Sequence, residues 1–520
     1  MKPRVKEERR WPLWLGLGAI LAVLLGLRIW QVMVLPIYYD EALHLQRAQR
    51  MLTEGTLLMG TEGGKYLQIW LLGALLPLGA DPLLTGRLLS AAIGLLSGAG
   101  CYLLARRLYP EPVVALVAAA LVAVCPYLLF FDRMSMADGT LSALTVWSLW
   151  ASLVALRHRS TWPTLGLGAC LGLAVTAKLS GLICLAFPLL VAWLWREELG
   201  WRRSLGRLGI AWLIAALGLL PTLLDLAPQL ASTLERSWVR PGNQGISQLV
   251  RLEHNLAEIV TGLWAYLTPP LVLLGLAEVG RSRRARSSAL LALAALVIVA
   301  FFLVTTGDGK FHYRYVLPAF PFGLILAARA LVALAGWLGA RLASGARGVS
   351  RAVLAGLVLL ACLPALQFDD WLLSDPSRAG WVARDRSIFI DGSLAGYGVV
   401  DASAYLRRQA DALGMIIVVK RTDNEKRTGA WAYYLDRPDI LLQALNLKTA
   451  DPQEMLRQLQ AAPAPVYLVL DRPDEDRLAA DFTSGVYAPF ASRVGTFPRP
   501  GGASRIEVYR LDPNPPWQTP

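Results

Sequence analysis

The 520-residue chain is 55% hydrophobic and only 17% charged, with a mean hydropathy of +0.45, which excludes an ordinary soluble multidomain protein. Its net charge of +13 invites nucleic acid as a partner. Lys and Arg stand instead in short clusters between apolar runs, the pattern of membrane topology rather than of a basic face, so the expected partner is the lipid bilayer and no nucleic acid.

The first apolar run, Trp11 to Leu35, is too long for a signal-peptide core and lacks a small-residue cleavage site, so it reads as a retained transmembrane helix. Further runs of spanning character follow near 85–105, 112–131, 139–156, 162–177, 180–195, 206–224, 257–277, 288–305, 314–336 and 351–367, giving about eleven spans with the first. Leu67 to Leu78 is too short to span and reads as a re-entrant or interfacial helix. The five cysteines, Cys101, Cys125, Cys170, Cys184 and Cys362, all lie inside apolar runs without metal-ligand spacing and read as buried or lipid-facing thiols.

Basic clusters recur in every second connection: Lys2 to Arg10, Arg106 and Arg107, Arg157 and Arg159, Arg196 to Arg207, Arg281 to Arg286, and Arg341 to Arg351. They place the N-terminus in the cytoplasm and, with an odd number of spans, the C-terminal part outside. That part carries Ile- and Val-rich strand-like runs at Ser387 to Ile390, Met415 to Lys420 and Pro465 to Leu470, with helical spacing at Ala402 to Leu413 and Pro452 to Ala461. The expected architecture is an α-helical polytopic membrane protein over residues 1–367, a small extracytoplasmic α/β domain over 368–511, and a Pro-rich disordered tail over 512–520. The Ala/Leu/Arg-heavy composition and the lack of eukaryotic retrieval signals point to a bacterial plasma membrane.

Ionisable groups at a membrane boundary are costly unless they pair or work, and four outer segments carry them. Asp40 and Glu41 follow the first span; they suit a general base or a divalent metal ion, or else N-cap the helix that follows. Lys65, in Glu62-Gly63-Gly64-Lys65-Tyr66, is placed to reach a lipid phosphate or to snorkel. In the turn Asp132 to Asp138, Arg133 with its flanking aspartates makes either a closed salt-bridge staple or a fork for phosphate, and Lys178 poses the same choice. Finally Asp308 to Tyr315, with Lys310, His312, Tyr313 and Arg314, forms a phosphate or sugar-hydroxyl site or an interfacial belt. Arg236, Arg240, Glu253, His254 and Glu258 lie in the long outer loop before the eighth span.

In this order the features resemble the GT-C glycosyltransferases, specifically the dolichyl-phosphate-mannose protein mannosyltransferase and bacterial aminoarabinose transferase group. The matching residues are Asp40 and Glu41 after the first span, Lys65 before an apolar helix, Arg133 with Asp138, Thr176 with Lys178, and the run from Lys310 to Pro318. The resemblance covers residues 1–364 and implies inverting transfer of a hexosyl or pentosyl group from a polyprenyl-phosphate sugar, on the extracytoplasmic face. The acceptor would be a protein, a glycolipid or a wall polymer. Carried across, Asp40 would be the catalytic base that deprotonates the acceptor hydroxyl, or would orient it, and Glu41 would support the loop or a metal. Lys65 and Arg133 would hold the donor phosphate, Lys178, Arg314 and Tyr313 would assist, and His312 would meet the sugar. The rival class is a multi-pass transporter or flippase of a lipid-linked sugar. It predicts ionisable residues near mid-span, whereas Asp225 lies at a span end.

Overall fold

A computed structural model of the chain describes residues 11–58, 64–79, 81–158, 160–227, 248–281, 285–307, 309, 311–342, 347–421, 428–445, 457, 461–475, 480, 482–485 and 488–512. Glu62, Gly63, Arg236, Arg240, Asp308, Lys310, the tail from Pro513 and nearly all of the helix expected over 452–461 lie outside the described residues. The chain forms two compact units, Met1–Val32 with Arg47–Gly380, and Met33–Gln46 with Trp381–Pro520. The boundary expected at 367/368 falls inside a helix that continues to Ser374.

The first unit is helical. In chain order it holds α1 (Trp11–Ile29), the later part of α2 (Tyr39–Glu54), α3 (Tyr66–Leu75), α4 (Pro82–Leu108), α5 (Pro112–Ala123), α6 (Pro126–Phe131) and α7 (Ala137–Arg157). There follow α8 (Trp162–Ala177), α9 (Phe187–Leu194), α10 (Arg196–Leu199), α11 (Trp201–Leu217) and α12 (Leu220–Leu226). The unit closes with α13 (Gln248–Tyr266), α14 (Pro269–Arg281), α15 (Arg286–Thr305), α16 (Phe320–Leu342) and α17 (Arg347–Ser374).

Six stretches are long and apolar enough to cross a bilayer: Pro12–Ile29, Pro82–Leu108, Ala137–Arg157, Arg286–Thr305, Tyr313–Leu342 and Gly348–Ser374. The pair α13 and α14, bent by 110°, makes a seventh when taken as one broken span. The expected count of about eleven is not reproduced among the described residues, where Pro112–Ala123, Trp162–Ala177 and Leu179–Leu194 are apolar but shorter than a full span. The run 112–131 divides before Pro126, and 257–277 divides at Thr268 (φ 69°) ahead of Pro269. The short apolar run Leu67 to Leu78 is α3 closed by a 3₁₀ turn, Leu76–Leu78.

Two irregular segments interrupt the bundle. After α8 the chain leaves the helix at Lys178 (φ −165°, ψ 139°) and continues as a 3₁₀ segment, Leu179–Ala186. Glycine is required in that turn, because a Cβ on Gly181 would stand 2.1 Å from the Ala174 carbonyl oxygen. The second, Tyr313–Ala319, is another 3₁₀ segment, leading through Pro318 into α16. Non-helical backbone among membrane-spanning helices persists only where it is buried in protein or lines a wet cavity, so these two breaks mark the place to look for function.

The second unit contains a five-stranded sheet: β1 (Ile416–Arg421), β2 (Ile440–Leu445), β3 (Val466–Arg472), β4 (Ala491–Pro498) and β5 (Arg505–Leu511), in the order β2-β1-β3-β5-β4. β1 runs parallel to β2 and β3, with Ile417 opposite Val466, while β5 pairs antiparallel with β3 and β4. Covering one face are α18 (Val399–Leu413) and α19 (Gly429–Tyr434), with Leu406 and Trp431 against Val418, Tyr467 and Val469. The opposite side chains, Ile417, Val419, Leu468 and Leu470, join a second core with Phe482 and Leu511. Burial on both faces explains why β1 and β3 read as unbroken apolar runs and were visible in sequence. Ser387 to Ile390, expected as a strand, is helical; it continues directly from the turn Ala383–Arg386, and short apolar runs are ambiguous between the two states.

At the carboxyl ends of β1 and β3, Lys420 lies 3.0 Å from Asp471, whose other oxygen accepts from Arg499, all three being buried. Burial pushes the Asp471 carboxyl up, but Lys420 and Arg499 together more than reverse this and hold it below the ordinary carboxylate value of 3.8. The folded domain therefore binds this proton less readily than the unfolded chain. The ion network's contribution is fully present above about pH 4 and is lost as pH falls through the depressed value. Thermal unfolding of this domain is expected to move to lower temperature as pH is taken from about 5 to 3, and Asp471→Asn to flatten that dependence while lowering stability throughout. An unchanged pH profile in the variant would remove Asp471 from acid unfolding.

Candidate functional site

Asp138 lies in the first turn of α7, where the positive end of the helix dipole favours a carboxylate. Its Oδ1 is 2.7 Å from Lys178 Nζ, projected from the break after α8, and the side chains are only 4% and 13% exposed. Lys65, the residue that caps α3, and Arg314, in the 3₁₀ segment before α16, stand within electrostatic range of the same carboxylate. Both irregular segments thus deliver a cation to one helix N-terminus. Lys178 Nζ also lies 5.3 Å from the centre of the Tyr315 ring, which stacks on Phe302 and meets His312 edge-on at 5.4 Å.

Sequence reasoning missed the brace that holds α3 to α7. The Thr140 hydroxyl donates to Gln68 Oε1 at 2.8 Å; both side chains are buried, and Gln68 Nε2 has no hydrogen-bond partner. Gln68 stands one turn beyond Lys65 and Thr140 two residues beyond Asp138. The available signal was an amide placed one helical turn after a lysine in an otherwise apolar helix. Thr176 donates to the carbonyls of Gly172 and Gly218 at 2.8 and 3.1 Å, joining the end of α8 to the end of α11 just before Lys178. The Tyr66 hydroxyl, next to Lys65, donates to Asp225. Three cations facing one carboxylate leave a local excess of positive charge suited to a phosphate.

Arg133 takes the closed structural role. Its Nη1 donates to the carbonyls of Leu27 and Trp30 at 2.8 and 2.6 Å, and Nη2 to that of Gln31 at 2.9 Å. The guanidinium therefore caps the end of α1, where helical carbonyls otherwise lack partners. Close by, Arg28 pairs with Asp132 at 3.0 Å, both fully buried, and donates to the carbonyls of Ala123 and Val122. Tyr313, expected at the substrate, is buried and donates its hydroxyl to Glu258, tying the 3₁₀ segment to α13. His312 is half-buried.

Asp40 and Glu41 belong to the second unit, in the first turn of α2. Glu41 is fully buried and accepts the Tyr38 backbone N–H at 3.0 Å, the returning half of a capping box. Asp40 is half-buried. Among the described residues no three His, Cys, Asp or Glu side chains stand close enough together to hold a metal. The two carboxylates alone do not make a protein cage for a divalent ion, which takes six or more oxygen ligands.

Residues 66–224 match the family model of dolichyl-phosphate-mannose-protein mannosyltransferases, the stretch that carries Gln68, Asp138, Thr140 and Lys178. A sequence comparison with curated proteins gives no match. Among solved structures, ArnT from Cupriavidus metallidurans bound to undecaprenyl phosphate is similar with a TM-score of 0.63 at 17% identity, covering 99% of this chain and 100% of that one. The Archaeoglobus fulgidus oligosaccharyltransferase is similar in its apo form, with a TM-score of 0.53 at 14% identity over 95% of this chain and 74% of that one. Its complex with Zn and sulfate gives 0.55 at 15% identity over 93% and 72%. At such identities the fold is what is shared: the chain has a fold like that of ArnT, and its residues 66–224 match the mannosyltransferase family model.

Proposed function

We propose that the chain is a membrane glycosyltransferase that moves a hexosyl or pentosyl group from a polyprenyl-phosphate donor to an acceptor hydroxyl on the extracytoplasmic face, with inversion at the anomeric carbon. The observation that carries this reading is the Asp138–Lys178 pair with Lys65 and Arg314 around it, at two backbone breaks in an apolar bundle. A polyprenyl tail needs an apolar surround and its phosphate needs cations, and the bundle supplies both. The family match over 66–224 and a fold shared with a structure bound to undecaprenyl phosphate support the same donor class.

In the proposed reaction the acceptor oxygen forms its bond to the anomeric carbon from the side opposite the phosphate. The acceptor proton passes to the Asp40 carboxylate. The bond from the anomeric carbon to the phosphate oxygen breaks and its electron pair stays on that oxygen, so the departing polyprenyl phosphate gains a negative charge. Lys65, Lys178 and Arg314 are the groups that offset this charge, and preorganised cations act most strongly on charge that develops during the reaction. Asp138 holds Lys178 in place, and His312 is the candidate contact for sugar hydroxyls. The acceptor is a protein, a glycolipid or a wall polymer. Asp40 and Glu41 are the residues that would hold a divalent cation, which would supply positive charge; no step depends on it.

The purified protein in vesicles, given a polyprenyl-phosphate sugar and a hydroxyl acceptor, is expected to release polyprenyl phosphate and form a product of inverted anomeric configuration. Movement of the intact donor across the bilayer with no release of polyprenyl phosphate would instead identify a flippase.

A further inference from the structure

We infer that the C-terminal α/β domain is the positioning device for Asp40: helix α19 and the segment 387–396 grip the backbone on both sides of that residue and set where its carboxylate stands. The inference rests on the reading of Asp40 as the acceptor base. Between α1 and α2 the chain has little regular structure, yet Ile37 and Tyr38 are only 0% and 3% exposed. What buries and fixes them belongs to the C-terminal residues of the same compact unit. The Ile37 amide donates to the Tyr434 hydroxyl at 3.0 Å, and the Tyr39 amide donates to the Leu394 carbonyl at 3.2 Å. The Tyr38 ring packs on Phe389 with centroids 4.8 Å apart.

Two glycines show how close the approach is. A Cβ on Gly396 would stand 2.4 Å from the Ile37 carbonyl oxygen and 2.7 Å from Pro36 Cβ. A Cβ on Gly429 would stand 2.9 Å from Ala42 Cβ. Asp40 lies between these contacts, three residues after Ile37 and two before Ala42. Two amide hydrogen bonds, an aromatic contact and two Cβ-free approaches therefore define the start of α2 far more tightly than a helix's own first turn does, since first-turn amides lack intrahelical partners. A reacting group displaced by about 1 Å loses about 100-fold in rate, so a base on this segment needs such support.

The test uses the full-length protein in bilayers with a polyprenyl-phosphate sugar. Gly429→Ala is expected to lower kcat by about 10- to 100-fold with the donor KM unchanged, and to speed amide hydrogen exchange at Ile37 and Tyr39. Adding Ala42→Gly removes the atom that the new methyl meets and is expected to restore both. Damage to the domain elsewhere would not be relieved by that second change. Tyr434→Phe, a milder variant that deletes only the oxygen accepting the Ile37 amide, is expected to move kcat and exchange in the same direction. Unaltered kcat and exchange in Gly429→Ala, or a loss that Ala42→Gly does not relieve, overturns the inference. Wild-type protein inactive on this donor would defeat the glycosyltransferase reading alone, and exchange at Ile37 and Tyr39 then still decides the positioning.

Discussion

Asp40→Asn is expected to lower kcat by about 10²- to 10⁴-fold, the range that a positioned general base contributes, with the donor KM and the unfolding temperature little changed. The amide has nearly the shape of the carboxylate and Asp40 is half-buried at a helix start, so packing survives the replacement. What is lost is the ability to take a proton. That loss has its own signature, because an acceptor whose hydroxyl ionises more readily depends less on a base. Such an acceptor is expected to recover part of the rate in the variant and to gain little with the wild type. Equal losses with both acceptors would leave Asp40 as a group that orients the hydroxyl, and full activity would remove it from the chemistry.

The membrane character, the α/β nature of the C-terminal part and the presence of cations beside apolar helices were legible because each is written in a local signal: apolar runs, two-face apolar strands, and Lys or Arg at the end of an apolar run. Partners distant in sequence were not. Arg133 and Lys178 look alike as residues, one basic group each at a turn between apolar runs. The chain gives Arg133 to the carbonyls at the end of α1 and Lys178 to Asp138. Only the fold decides which cation caps and which faces a carboxylate. Glu41 was open between chemistry and capping, and its hydrogen bond to the Tyr38 amide gives it a capping task. Hydropathy does not register a chain break: Pro126 and Pro269 each mark the division of a run that composition alone reads as continuous, while the turn at Lys178 falls between two runs already separate in sequence. The edge strand β2 and the antiparallel strands β4 and β5 went unseen: β4, the other edge, is largely half-buried or exposed, so its apolar alternation is weak, and charged side chains interrupt β5.

Lys178→Met is expected to remove transfer activity and to cost about 3–5 kcal/mol of stability, because it leaves the Asp138 carboxylate buried without its 2.7 Å partner. Stability and chemistry are confounded in that variant, and the second partner separates them. Replacing both members, Lys178→Met with Asp138→Leu, removes the uncompensated charge along with the pair, and apolar substitutes for a buried ion pair are often neutral or better. The double variant is therefore expected to unfold near the wild-type temperature and yet to remain inactive, since a phosphate that gains charge has lost one of its three cations. Binding of polyprenyl phosphate itself, measured without turnover, is expected to weaken in the double variant, with Lys65 and Arg314 the cations left at the site among the described residues. Recovery of activity along with stability would make the Asp138–Lys178 pair a brace between α7 and the end of α8, and the donor phosphate would then have to be sought elsewhere in the bundle.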